Sequence, residues 1–169
     1  MTLQEVESAP TTLDAPLVRS VSVVSSGLRD CPGGMHAMTA DSFDVVSQNP
    51  ALAAVAVGRQ ARMLRVLEAN GVFAVSVLSS SQRWLATWFA SRRRGEGSAQ
   101  FDAVSWRPAT VVRAPLIDDG LAWFECSIHQ LVRTGDHVLV VGRILRQDLA
   151  DSVNDPLFRF GGSYRDLAG

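Results

Sequence analysis

The chain has 169 residues, 47% hydrophobic and 20% charged, with a net charge of −1. That composition suits one folded domain, expected over residues 16–169, and excludes a general nucleic-acid binder, which needs a basic face. All 16 basic residues are arginine, which excludes Schiff-base chemistry and leaves any phosphate to guanidinium, hydroxyl or backbone N–H groups.

Residues 1–15 mix acidic residues with Thr, Ala and Pro and read as a loose arm. They lack the apolar core of an export signal, and no apolar run reaches the ~20 residues that span a membrane, so a cytoplasmic chain is expected. Residues 17–25 (LVRSVSVVS) alternate and are β-branched, the pattern of a strand. Cys31-Pro32-Gly33-Gly34 is a turn. Residues 35–46 predict two brief strands around a bend, and the apolar run 51–57 (ALAAVAV) a buried strand.

The period then changes. Met63, Val66 and Leu67 stand at helical spacing before the stop Asn70-Gly71, and residues 72–78 (VFAVSVL) return to a strand. Ser79-Ser80-Ser81 caps a second helix through Trp84, Leu85, Trp88 and Phe89, read as core or interface aromatics. The charged, glycine-bearing stretch 92–98 reads as a mobile loop. Residues 121–131 and 137–145 predict two strands joined as a hairpin around Arg133-Thr134-Gly135-Asp136, followed by an aromatic, glycine-rich tail over 156–167. Seven strands and two helices at irregular intervals predict a mainly β chain, an antiparallel barrel. Cys31 and Cys126 are too few and too distant for a disulfide framework, and Cys126 falls in an apolar strand pattern as a small hydrophobe. His36 and His129 have no partners at metal-ligand spacing and are expected to be structural.

Four blocks carry a resemblance. They are His36-Ala37-Met38-Thr39-Ala40-Asp41-Ser42-Phe43, then Ser47-Gln48-Asn49-Pro50-Ala51-Leu52. The third runs from Ala114-Pro115-Leu116 through Ala122-Trp123-Phe124-Glu125-Cys126 to Gly135-Asp136-His137 and Val141-Gly142-Arg143. The last is Gly162-Ser163-Tyr164-Arg165. In this order they resemble the flavin reductase-like family, the reductase components of two-component flavin-dependent monooxygenases. The resemblance implies the FMN-binding split-barrel fold, an antiparallel Greek-key β-barrel, built as a homodimer.

The residues suit that chemistry. An isoalloxazine edge wants backbone amides and small hydroxyls from a closely approaching chain. By spacing alone Thr39, Ser42 and Ser47 are turn hydroxyls; the resemblance implies flavin contacts along Met38, Thr39, Ala40, Asp41 and Ser42 and at Ser47. His137 by itself is a surface residue opening a strand; the resemblance implies that it positions a nicotinamide, NADH or NADPH. Tyr164 and Arg165 are either a packing pair or a dinucleotide-phosphate contact. Arg92-Arg93-Arg94 is either a solvated run or an attractor for anionic cofactors.

One segment departs from the pattern. Where the family has a hydroxyl-rich phosphate grip, R-S/T-S-x-T, this chain has Arg59-Gln60-Ala61-Arg62-Met63. Arg59, Gln60 and Arg62 are then the candidates for the phosphate, since guanidinium pairs with it in a bidentate way. Gln100 replaces a lysine common in the family, and Ala37 a glycine. The expected activity is hydride transfer from NAD(P)H to FMN, with FAD or riboflavin as alternatives, and delivery of reduced flavin to a partner monooxygenase. The missing hydroxyls keep a second expectation open, a split barrel that binds flavin or another ligand, or serves another biosynthetic reaction.

Overall fold

The computed structural model describes residues 17–151 and 154–167; the arm expected over 1–15 lies outside them. The N-terminal half contains β1 (Arg19–Ser20), β2 (Ser22–Ser26), β3 (His36–Ala40), β4 (Asp44–Gln48) and β5 (Ala51–Gly58). Helix α1 (Arg62–Asn70), strand β6 (Val72–Val77) and helix α2 (Arg83–Ala90) follow. Then come β7 (Trp106–Pro108), β8 (Pro115–Ile117), β9 (Ala122–Thr134), β10 (His137–Leu149), β11 (Phe158–Phe160) and β12 (Ser163–Arg165).

Seven strands form one antiparallel sheet in the order β3-β2-β6-β9-β10-β5-β4. Its edges, β3 and β4, are not hydrogen-bonded to each other, yet the sheet encloses a common core. Val24 of β2, Val55 and Val57 of β5, Phe73 and Val75 of β6, Phe124 of β9, and Val138 and Val140 of β10 are one buried cluster. Met63, Leu64 and Leu67 of α1 fill it. This is the split-barrel arrangement expected from the resemblance.

Helix α1 ends where the sequence says it should. Gly71 takes φ 68°, and its N–H bonds the Leu67 carbonyl at 2.8 Å, a left-handed cap that favours glycine. Strand β2 is buried on both faces, so Val23, together with Val21 just before the strand, enters a second core beneath α2, with Leu85, Ala86, Phe89 and Phe101. Trp88 and Trp106 pack against that cluster, while Trp84 is exposed. Cys126 is buried, and burial with Glu125 nearby pushes its thiol up to about 12, so it is an inert hydrophobe.

Several expectations need correction. The hairpin strands β9 and β10 run three and four residues beyond the predicted 131 and 145. The tail is a hairpin, β11–β12, with β1 added at its edge. The pair β7–β8 was not foreseen at all; it is tied down by Glu125, which accepts the amides of Thr110, Val111 and Val112. The loop expected over 92–98 is partly ordered, since Gly97–Phe101 forms a 3-10 turn and Arg94 is half-buried.

Gly142 sits where β10 shifts register, and a Cβ there would lie 2.4 Å from Phe73 Cζ and 3.0 Å from Cys126 Cβ. Phe73 is fully buried, so its ring has nowhere to go. Gly142→Ala should cost about 1–3 kcal/mol, read as a lower urea midpoint at unchanged slope.

Candidate functional site

The turn from β5 into α1, the start of β10, the edge strand β3 and the loop after α2 converge on one cleft of about 1100 Å³. That lies just above the ~300–1000 Å³ typical of ligand sites, large enough for a nucleotide-sized molecule. Arg59, Arg62, Arg92 and Arg94 line it, against Glu96 and Asp136. The excess of guanidinium favours an anionic occupant.

Each wall has its own reason to be there. The α1 N-terminus opens on the cleft because Ala61 is its N-cap, supplying no side-chain acceptor, and its first turn holds no acidic residue. Arg62 pairs with Glu96 across the cleft at 2.5 Å. Arg59 donates to the Gly135 carbonyl at 3.3 Å, and its amide to the Asp136 carbonyl at 3.0 Å, which fastens the β5–α1 turn to the β9–β10 hairpin. His137 Nδ1 lies 2.8 Å from Asp136 Oδ1, and that contact holds the Asp136 carboxyl below the usual carboxylate range.

His36 forms the inner wall and is 7% exposed. Its ring touches the buried amide of Gln100, 2.9 Å from Nδ1. Burial first, then the charges of Arg94 and Arg62, lower its pKa to about 4. Arg94 crosses the same region, donating to Gln100 Oε1 at 3.1 Å, to the Ala37 carbonyl at 3.0 Å and to the Ser91 carbonyl.

Of the residues singled out in the sequence, Met38, Arg59, Gln60, Arg62 and His137 line this cleft. The other seven do not. The Thr39 hydroxyl donates to the Ala86 carbonyl at 2.6 Å, binding β3 to α2. Ala40 is in the core. Asp41 pairs with Arg159 at 3.1 Å and Arg19 at 3.9 Å. The Ser42 hydroxyl accepts from the Ala56 amide at 3.0 Å, bracing the β3–β4 bend, and Ser47 lies in edge strand β4. Tyr164 packs on the second core, its hydroxyl 3.5 Å from the Ala86 carbonyl, and Arg165 is exposed on β12. Sequence reasoning in turn missed His36, Gly95 and Glu96 as cleft residues. Of these, only the charged 92–98 stretch had signalled itself.

With this geometry in view, the family follows. A model of the flavin reductase-like domain matches residues 15–168. The chain belongs to that family.

Its likeness to solved structures is close. It superposes with a TM-score of 0.83 on BorF, the flavin reductase component of a bacterial two-component tryptophan halogenase, at 38% identity, covering 90% of this chain and 92% of BorF. The NADH:FAD oxidoreductase SgcE6 of Streptomyces globisporus, in complex with NAD and FAD fragments, gives a TM-score of 0.80 at 34% identity, with 88% and 85% covered. The reductase component of 4-hydroxyphenylacetate 3-monooxygenase from Thermus thermophilus is 33% identical over 153 residues, 90% of this chain and 91% of that protein. Two relatives from Rhizobium meliloti are longer, and the match spans 38% and 51% of them.

The lowered pKa of His36 has a stability consequence. The folded value, about 4, lies below the 6.5 of an unfolded histidine, so between these pH values the unfolded chain binds more protons. The contribution is present above pH 6.5 and is lost as pH falls to 4. Wild type should lose about 2–3 kcal/mol more than His36→Asn over that window, measured by urea unfolding of both proteins at each pH.

Proposed function

We propose that this chain is an NAD(P)H:flavin oxidoreductase. It reduces FMN, FAD or riboflavin with NADH or NADPH and passes the reduced flavin to a separate flavin-dependent monooxygenase. The observation that carries the reading is the convergence of Met38, Arg59, Gln60, Arg62 and His137, from three separate motifs, on one arginine-lined cleft. Membership of the flavin reductase-like family and the activities named for its relatives support the same chemistry.

The reaction moves a hydride from nicotinamide C4 to flavin N5, and the two rings supply that redox chemistry themselves. The chain's part is to bind the rings in register and keep water out, an orientation effect that needs no protein acid or base. His137 has a definite role in it. The Asp136 carboxylate only accepts, so Nδ1 of His137 carries a proton, and the neutral ring presents Nε2 as an acceptor. That suits the N–H of a nicotinamide carboxamide. Arg59 and Arg62 stand where anionic phosphate is expected. Thr39, Ser42, Ser47, Tyr164 and Arg165, whose side chains do not line the cleft, are proposed as flavin or dinucleotide contacts only through backbone groups or a second copy.

The reading includes a homodimer acting in the cytoplasm, with residues 16–169 as its folded unit. Exposed Val46 on edge strand β4 and Leu145 and Leu149 on β10 support a partner surface. No helix among the described residues is long and apolar enough to cross a membrane. A second reading, a binding protein without reductase activity, is favoured by the absence of hydroxyls at Gln60, Ala61 and Met63.

The deciding experiment follows NADH absorbance with and without each flavin. Oxidation should occur only with flavin present, and His137→Ala should raise the KM for NADH about tenfold, as loss of one hydrogen bond implies. Flavin binding without NADH oxidation would support the second reading. Light scattering at micromolar concentration should give twice the chain mass; a monomer there removes the dimer.

A further inference from the structure

Gln100 is fully buried and every polar group of its side chain is engaged. Its Oε1 accepts from Arg94 Nε at 3.1 Å and from the Ala37 amide at 3.4 Å. Two donors on one atom fix that atom as the oxygen, so the amide nitrogen is the one that faces His36 Nδ1 and the Gly97 carbonyl, at 2.9 Å and 3.2 Å. An amide nitrogen only donates. His36 Nδ1 therefore accepts, and the neutral ring carries its proton on Nε2.

That proton has no acceptor among the described residues, since the side-chain bonds of His36 end at Gln100. No fully buried side-chain nitrogen or oxygen among them lacks a partner. Nε2 thus meets open space, and the open space beside His36 is the cleft. Around it stand Arg94, Arg62 and the N-terminus of α1, a nine-residue helix without a side-chain cap. Unfilled backbone donors, two guanidinium groups and a neutral N–H converge on the same acceptor chemistry, an anionic oxygen.

We propose that His36 contacts the ligand directly: its Nε2–H donates to a phosphate oxygen of the bound nucleotide, and Gln100 is the positioning residue that holds the tautomer. The identity of the nucleotide rests on the oxidoreductase reading; the seat itself does not. Two sources supply such an oxygen, the 5′-phosphate of a flavin and the pyrophosphate of a dinucleotide. A neutral donor suits either, because its hydrogen bond does not alternate with a charge across the working pH range.

The test has two parts. Nitrogen-15 spectra of the wild-type imidazoles should show His36 protonated at Nε2, and titration with inorganic pyrophosphate or FMN should shift that N–H. Gln100→Glu, an acceptor when ionised beside Arg94, should move the proton to Nδ1. In the second part, His36→Asn keeps an acceptor toward Gln100 but removes the donor that faces the cleft, and His36→Gln restores a donor near Nε2.

If the flavin phosphate is the ligand, His36→Asn should lose roughly ten- to a hundredfold of its preference for FMN over riboflavin, with the KM for NADH unchanged. If the dinucleotide is, the KM for NADH should rise by a similar factor and the flavin preference should stand. His36→Gln should recover part of either loss. A proton on Nδ1 in wild type, or no shift with both pyrophosphate and FMN, overturns the proposal, as does a His36→Asn protein that keeps both constants. A shift with pyrophosphate in a protein that binds no flavin leaves the seat standing and removes the oxidoreductase reading.

Discussion

The cleft depends on one buried amide. Gln100 touches β3 through His36 and Ala37, the loop after α2 through Arg94, and its own 3-10 turn through Gly97. Strand β3, distant in sequence, is thereby set against the loop after α2 and its 3-10 turn in a dry environment, where each such bond is stronger than in water and a missing partner costs about 1–3 kcal/mol. The geometry of the inner wall is a property of this network rather than of any strand. Arg94 can reach the cleft from a loop because two backbone carbonyls and the Gln100 oxygen hold it there.

Much of the sheet was legible in the sequence, for a physical reason. Strands of five or more residues leave a readable apolar pattern, as ALAAVAV and VFAVSV do, and Asn70-Gly71 marks a helix end by its left-handed cap. Strands β7, β8, β11 and β12 have three residues each, too few for a period of two to show. The candidate site was legible where chain order carried it, as with Arg59, Arg62 and His137. It was illegible where a hydroxyl had a nearer use. Thr39 and Ser42 look like ligand groups in one dimension, but the carbonyl of Ala86 and the amide of Ala56 already use them. The converse holds for His36, whose partner is 64 residues away, so that nothing near it in sequence distinguishes it from any buried histidine.

Two histidines of the cleft are held in opposite tautomers. Asp136 accepts a hydrogen bond from the Nδ1–H of His137, and Gln100 donates one to Nδ1 of His36. One neutral ring therefore offers an acceptor and the other a donor at the same atom name. The difference is set entirely by whether the neighbour is a carboxylate or an amide.

The ion pair between Arg62 and Glu96 has a different kind of consequence. Glu96 is largely exposed, so the pair is worth about 0–1 kcal/mol and is screened by salt. It acts as an internal counterion that an entering anion can displace at small cost. Arrival of a ligand then exchanges one negative partner of Arg62 for another, instead of adding a charge to the cleft. With Glu96 released, the loop that holds Arg92 and Gly95 is still fastened by Arg94 and by the Gln100–Gly97 bond. Ligand and Glu96 thus compete for a single guanidinium.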